Sequence, residues 1–83
     1  MDTKKEVLFI LDEVLNLNGR TEGFSEKTLL LGAIPELDSM AVVSVIAGLE
    51  EHFGITVDDD EIDGATFATL GSLIRFVDDK IKR

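Results

Sequence analysis

The stretch Leu37-Asp38-Ser39-Met40-Ala41-Val42-Val43-Ser44-Val45-Ile46-Ala47-Gly48-Leu49-Glu50-Glu51-His52-Phe53-Gly54 decides the architecture of this chain. Val42, Val45, Ile46, Leu49 and Phe53 recur at helical spacing, which predicts an amphipathic helix over 40–53 with a core-facing stripe. Ser39 is the expected N-cap and Gly54 the stop, because glycine accepts the left-handed conformation at a helix end. Its many β-branched residues lower helix propensity, so this helix depends on tertiary packing. Met40, Val43 and Ala47 form a second apolar line on another side of the same helix, flanked by Ser44, Glu50 and Glu51. That line reads either as an extra-wide core stripe or as a mixed apolar and acidic docking surface.

Working outward, Val7, Ile10, Leu11, Val14 and Leu17 predict a first helix over 4–17, with Asp2 or Thr3 as its cap and Asn18-Gly19 as its stop. Leu70, Leu73, Ile74, Val77 and Ile81 predict a last helix over 69–81 whose end carries Lys80, Lys82 and Arg83, the sign that suits a C-terminal dipole. Between the first two lies a long connection, 20–38, with Gly23, Gly32 and Pro35. Connections of that length are uncommon unless they pack or function. Its Phe24, Leu29, Leu30, Leu31, Ile34 and Leu37 are expected to cover the open side of a helical core, with a short turn near 26–30. Ile55-Thr56-Val57 is too short and isolated for a sheet, and the acidic run 58–63 can start one helical turn. The expected fold is a single all-α domain over 1–83: a small bundle of three main helices plus one short helix, with a long first loop.

Charge narrows the function classes. Eight basic against 17 acidic residues give −9, and from Thr28 to Ile74 there is no Lys or Arg while nine acids occur. The whole net charge therefore sits in the centre, which serves either as a solvated face or as a field that steers basic partners. Binding to a nucleic-acid backbone, which needs released counterions and hence cations, is disfavoured. The longest apolar run, Leu29 to Ile34, is far short of the ~20 residues of a spanning helix. The first residues do not read as a signal peptide, so a cytoplasmic monomer without membrane insertion is the expectation.

No catalytic set emerges. Cysteine is absent, so thiolate nucleophiles and zinc-thiolate sites are excluded. His52 is the sole histidine and has no serine at helical spacing to activate. Asp59-x-Glu61-x-Asp63-Gly64 opens like a calcium loop, but its twelfth position is Leu70 where a bidentate Glu is required. No Gly-rich phosphate loop or nucleophile elbow is present. The chain is expected to be neither an enzyme nor a metal protein.

Ser39 stands apart, at the start of the helix after a loop containing glycine and proline. It reads as an ordinary cap or as an attachment point, since the positive end of a helix suits a phosphate diester. Joined to the surrounding residues, the segment Leu37-Asp38-Ser39-Met40, Val43 and Leu49-Glu50-Glu51-His52-Phe53-Gly54-Ile55 resembles the acyl carrier protein family, and the likeness extends over essentially the whole chain. The resemblance implies that Ser39 receives 4′-phosphopantetheine from coenzyme A through a magnesium-dependent phosphopantetheinyl transferase. The arm's thiol would then carry acyl groups as thioesters. Asp38 would be the neighbouring recognition residue, and Met40, Val43, Ser44, Ala47, Glu50 and Glu51 the face read by basic patches on the transferase, an acyl-loading ligase or synthase, and acyltransferases. Tethering sets an effective concentration by arm length, and weak electrostatic docking allows rapid exchange of partners. Ser44, Ala47-Gly48, the approach Ala33-Ile34-Pro35-Glu36-Leu37 and an extra residue near Asp63-Gly64 depart from the fatty-acid carrier pattern, which favours a dedicated pathway over fatty acid biosynthesis. An aminoacyl or peptidyl-type carrier and an unmodified acidic interaction module are the alternatives.

Overall fold

A computed structural model describes residues 3–62 and 64–82. Three α-helices form the frame: α1 (Thr3–Leu15), α2 (Ser39–Phe53) and α3 (Leu70–Ile81), with short 3-10 turns at Arg20–Gly23 and Asp59–Glu61. The all-α expectation holds among the described residues, where the one strand-like feature is an isolated antiparallel bridge between Leu29 and Thr69. The acidic run forms the expected short helical turn, three residues of 3-10 helix at Asp59–Glu61. Asp2, Asp63 and Arg83, read above as a cap, a ligand position and a dipole charge, lie outside the described residues.

α1 packs against both α2 and α3 and so forms the centre of the bundle. Val7, Ile10, Leu11 and Leu15 of α1, Val45, Ile46 and Leu49 of α2, and Leu70, Leu73, Ile74 and Val77 of α3 are buried together. Val42 and Phe53 pack at the edge of this core, half-buried. Burial of each such side chain contributes about 1.5–3 kcal/mol, which compensates the low propensity of β-branched α2. Ile81 departs from expectation. It is exposed, because α3 has by then passed the end of the core.

The first helix also stops earlier than its apolar pattern predicts. Asn16 takes φ 57°, and the Leu17 N–H donates back to the Asp12 carbonyl at 3.0 Å, closing the helix in a left-handed turn. Leu17 is nevertheless buried, carried inward by that turn and not by the helix.

The long connection is pinned by backbone hydrogen bonds to the segment leading into α3. Leu30 and Leu31 donate to Ala68 and Phe67, each at 3.0 Å. In return Leu70 donates to Thr28 and Gly71 to Glu26, each at 2.9 Å. Leu30, Ile34 and Leu37 thereby enter the core beside Phe67, a core residue that lies outside every helical stripe, while Leu29 and Leu31 remain exposed. The expected helical turn near 26–30 is replaced by a hydrogen-bonded turn at 25–28 followed by the extended Leu29. Backbone pairing with α3's lead is the reason: a helix there would consume the same amides.

Thr69 caps α3, its hydroxyl accepting the Ser72 N–H at 3.1 Å while the Ser72 hydroxyl accepts the Thr69 N–H at 3.1 Å. This reciprocal box fixes where α3 starts. Gly71 then passes so close to the connection that a Cβ there would lie 2.9 Å from the Glu26 carbonyl oxygen. Gly71→Ala is expected to lower stability by about 1–2 kcal/mol, the overpacking cost exceeding the helix-propensity gain. Thermal unfolding followed by circular dichroism checks this; a melting temperature equal to or above wild type refutes the close-approach account.

Candidate functional site

The site forms where the pinned connection turns into α2. Asp38, not Ser39, caps the helix. Its backbone is extended (φ −107°, ψ −174°), and its carboxylate accepts the Ala41 N–H at 2.8 Å. The Asp38 carbonyl accepts the Val42 N–H at 2.9 Å, the first bond of the helical ladder. Ser39 is therefore the first helical residue, one position beyond its expected place. The correction matters chemically, because a capping hydroxyl would be occupied. Here the Ser39 side chain is exposed and has no hydrogen-bond partner among the described residues. The amides of Ser39 and Met40 likewise find no acceptor among them, which leaves two N–H groups at the positive end of a 15-residue helix.

Nothing crowds this hydroxyl. Met40 beside it is 80% exposed, and Val43, one turn on, is 67% exposed. These values resolve the two readings of the second apolar line, which is surface and not core. Ser44 and Ala47 extend the exposed strip, with Glu51 at its far end. The Ser44 hydroxyl reaches back to the Met40 carbonyl at 3.5 Å.

Glu50, expected on the docking face, also has a structural partner. It is half-buried, and its Oε2 accepts the Val57 N–H at 2.9 Å. The Gly54 N–H donates to the Glu50 carbonyl with Gly54 at φ 68°, so Glu50 organises the chain reversal after α2. A groove of about 330 Å³ lies alongside, lined by Val42, Val43, Ile46, Ala47, Glu50, Val57 and Ile62. Gly48 takes no part in it and faces α1, where a Cβ would stand 3.2 Å from Ile10 Cγ2.

His52 is exposed at the opposite end of α2 from Ser39, its Nε2 3.2 Å from the Glu6 carboxylate. Thirteen residues of helix place the two about 20 Å apart, so His52 does not reach the Ser39 hydroxyl as a base. Leu70, the twelfth position of the calcium-like run, is a fully buried apolar side chain and offers no oxygen.

On the loop side, the Arg20 guanidinium pairs with the Glu36 carboxylate two residues before Asp38. Arg20 Nε also donates to the Leu17 carbonyl at 3.2 Å, which ties the end of α1 to the entry of α2. Sequence periodicity could not reveal this pair, because neither residue belongs to an α-helix.

Residues 36–77 match the family described as "Phosphopantetheine attachment site", a span that begins just before Asp38 and covers α2 and most of α3. The chain belongs to this acyl carrier family. It is 32% identical over 92% of its length to the acyl carrier protein AsbD of Bacillus anthracis, covering 81% of that protein. It is 36% identical over 89% of its length to the D-alanyl carrier protein of Streptococcus mutans, covering 89% of it. Its fold superposes on the solution structure of a holo acyl carrier protein from Nitrosomonas europaea with a TM-score of 0.91, at 53% identity and full coverage of both chains. This carrier protein takes a covalently attached phosphopantetheine, and an exposed serine with free amides beside it on the α2 N-terminus fits such a group.

Two consequences are measurable. Asp38→Ala removes the cap of α2 and is expected to cost about 1 kcal/mol, whereas Asp38→Asn, which keeps a capping oxygen, costs less; equal unfolding midpoints for the two variants and wild type contradict the assignment. The Glu36 carboxyl is held below its ordinary value of 4.5, first by a backbone hydrogen bond at Glu36 itself and then by Arg20. A lowered native value means that the interaction stabilises above the ordinary carboxylate range and fades as pH falls through the native value. Arg20→Ala should raise the Glu36 midpoint in a carbon-detected NMR titration while the backbone contribution persists. An unmoved midpoint excludes the ion pair as a cause.

Proposed function

We propose that Ser39 is the residue to which phosphopantetheine is attached, and that this chain carries acyl intermediates as thioesters in a dedicated pathway. The observation that carries the reading is the exposed Ser39 hydroxyl on the first turn of α2, left uncommitted because Asp38 performs the capping. When attached, the group supplies a terminal thiol on a flexible arm.

The chain's own residues do the rest. Asp38 holds the first turn in place, so the hydroxyl is presented from a rigid helix end and not from a mobile loop. The hydroxyl oxygen forms the new bond to phosphorus as the pyrophosphate bond of coenzyme A breaks and adenosine 3′,5′-bisphosphate leaves. The hydroxyl proton passes to a base of the transferase, since the Asp38 carboxylate is engaged with the Ala41 N–H and His52 lies at the far end of α2. The unpaired amides of Ser39 and Met40, with the helix dipole, favour the resulting phosphodiester charge. Met40, Val43 and Ala47, with Ser44 and Glu51, form the face on which a basic transferase and acyl-handling enzymes dock. Long-range attraction to the acidic centre raises the encounter rate, and exposed contacts keep each complex short-lived. Monomeric, cytoplasmic action is part of this reading.

The departures at Ser44, Ala47 and Gly48 support a dedicated pathway over fatty acid biosynthesis. The similarity to a D-alanyl carrier favours an aminoacyl cargo as the second reading. Incubation with coenzyme A, magnesium and a broad-specificity phosphopantetheinyl transferase should add one phosphopantetheine by intact mass, and Ser39→Ala should abolish it. Failure of wild type to gain that mass, while a control carrier does, would falsify the assignment. The mass of the thioester trapped from the native host separates acyl from aminoacyl cargo.

A further inference from the structure

A second surface borders the Ser39 face of α2 and is unused by the proposed attachment chemistry. α1 and α2 run antiparallel, with His52 beside Glu6 and Gly48 beside Ile10 and Val14. Between them lies a groove of about 640 Å³ lined by Phe9, Ile10, Glu13, Val14, Gly48, Glu51 and His52. Phe9 is 58% exposed, an unusual place for a large aromatic on the helix at the centre of the bundle. Its ring tilts against the His52 imidazole, centroids 6.4 Å apart. Glu13 on α1 and Glu51 on α2 stand on the rims, both exposed and without an ion-pair or hydrogen-bond partner among the described residues.

An exposed aromatic ring sharing one groove with two unpaired carboxylates suits one kind of guest. A guanidinium can lie over the ring while its N–H groups reach carboxylate oxygens, which an ammonium does less well. Size points the same way. A standard interface needs about 800 Å² on each partner. The exposed strip of α2 from Met40 to Glu51 is only about 17 Å long and one helix wide, so an enzyme docked at Ser39 must spread beyond it. On one side of the strip Glu50 is committed to Val57. On the other the groove is continuous with the strip through Glu51.

We propose that the α1/α2 groove is a second contact for the phosphopantetheinyl transferase and receives an arginine-bearing segment of that enzyme. This rests on the Ser39 reading above. Transferase kinetics with coenzyme A test it, comparing wild type with Phe9→Ala, Glu13→Lys and the control Asp79→Lys on exposed α3, each checked for native helicity. Glu13→Lys is expected to raise KM at least fivefold and Phe9→Ala at least threefold, with kcat unchanged, and Glu13→Lys should flatten the salt dependence of kcat/KM. Asp79→Lys should stay within twofold. The proposal is overturned if wild type is modified and both groove variants keep KM within twofold, or if Asp79→Lys raises KM as much as Glu13→Lys. A wild-type chain that gains no mass overturns the Ser39 reading and the groove proposal together.

Discussion

The backbone pairing between the first connection and the lead into α3 sets the geometry on which the site depends. Thr28, Leu30 and Leu31 exchange hydrogen bonds with Phe67, Ala68 and Leu70, and Glu26 accepts from Gly71. Removing these amides from water without partners would be expensive, so the pairing admits few alternatives. It draws Leu30, Ile34 and Leu37 into the core and delivers the chain to Asp38 at a defined position. A connection that is irregular in its dihedrals is thus as constrained as the helices it joins.

From that point the site follows from a single-residue shift. Capping by a carboxylate at residue 38 makes residue 39 the first helical position, and its side chain then projects outward with no internal duty. Capping by the hydroxyl itself would have used the same oxygen to stabilise the helix and taken it out of chemistry. In the proposed reading, two functions, holding the first turn and offering an oxygen for attachment, are divided between adjacent residues. Division of this kind suits a carrier, which must present a reactive group to many enzymes without reshaping its fold for each.

The acidic centre is likewise divided. Glu50 satisfies a backbone amide and Glu61 pairs with Lys80 of α3, so part of the negative charge holds the chain after α2 in place. Glu51 remains on the surface without such a duty, as does Glu13 of α1, outside that centre. The net charge reads as one electrostatic field from a distance, but only some of its members are available at contact.

Residue spacing alone determined the three helices, most of their buried stripes, the central acidic segment and the singular position of Ser39, because period and charge are local properties of a chain. The two readings of Met40, Val43 and Ala47 were not separable in that way, since exposure depends on which neighbours the helix has and not on its own period. The cap at Asp38 escaped for a similar reason: Asp and Ser are equally good caps, and the choice is made by the angle at which the connection arrives. Phe67, the bond from Val57 to Glu50 and the groove beside Phe9 join residues far apart in sequence and were decided by tertiary packing, which brings together groups whose spacing along the chain carries no periodic signal.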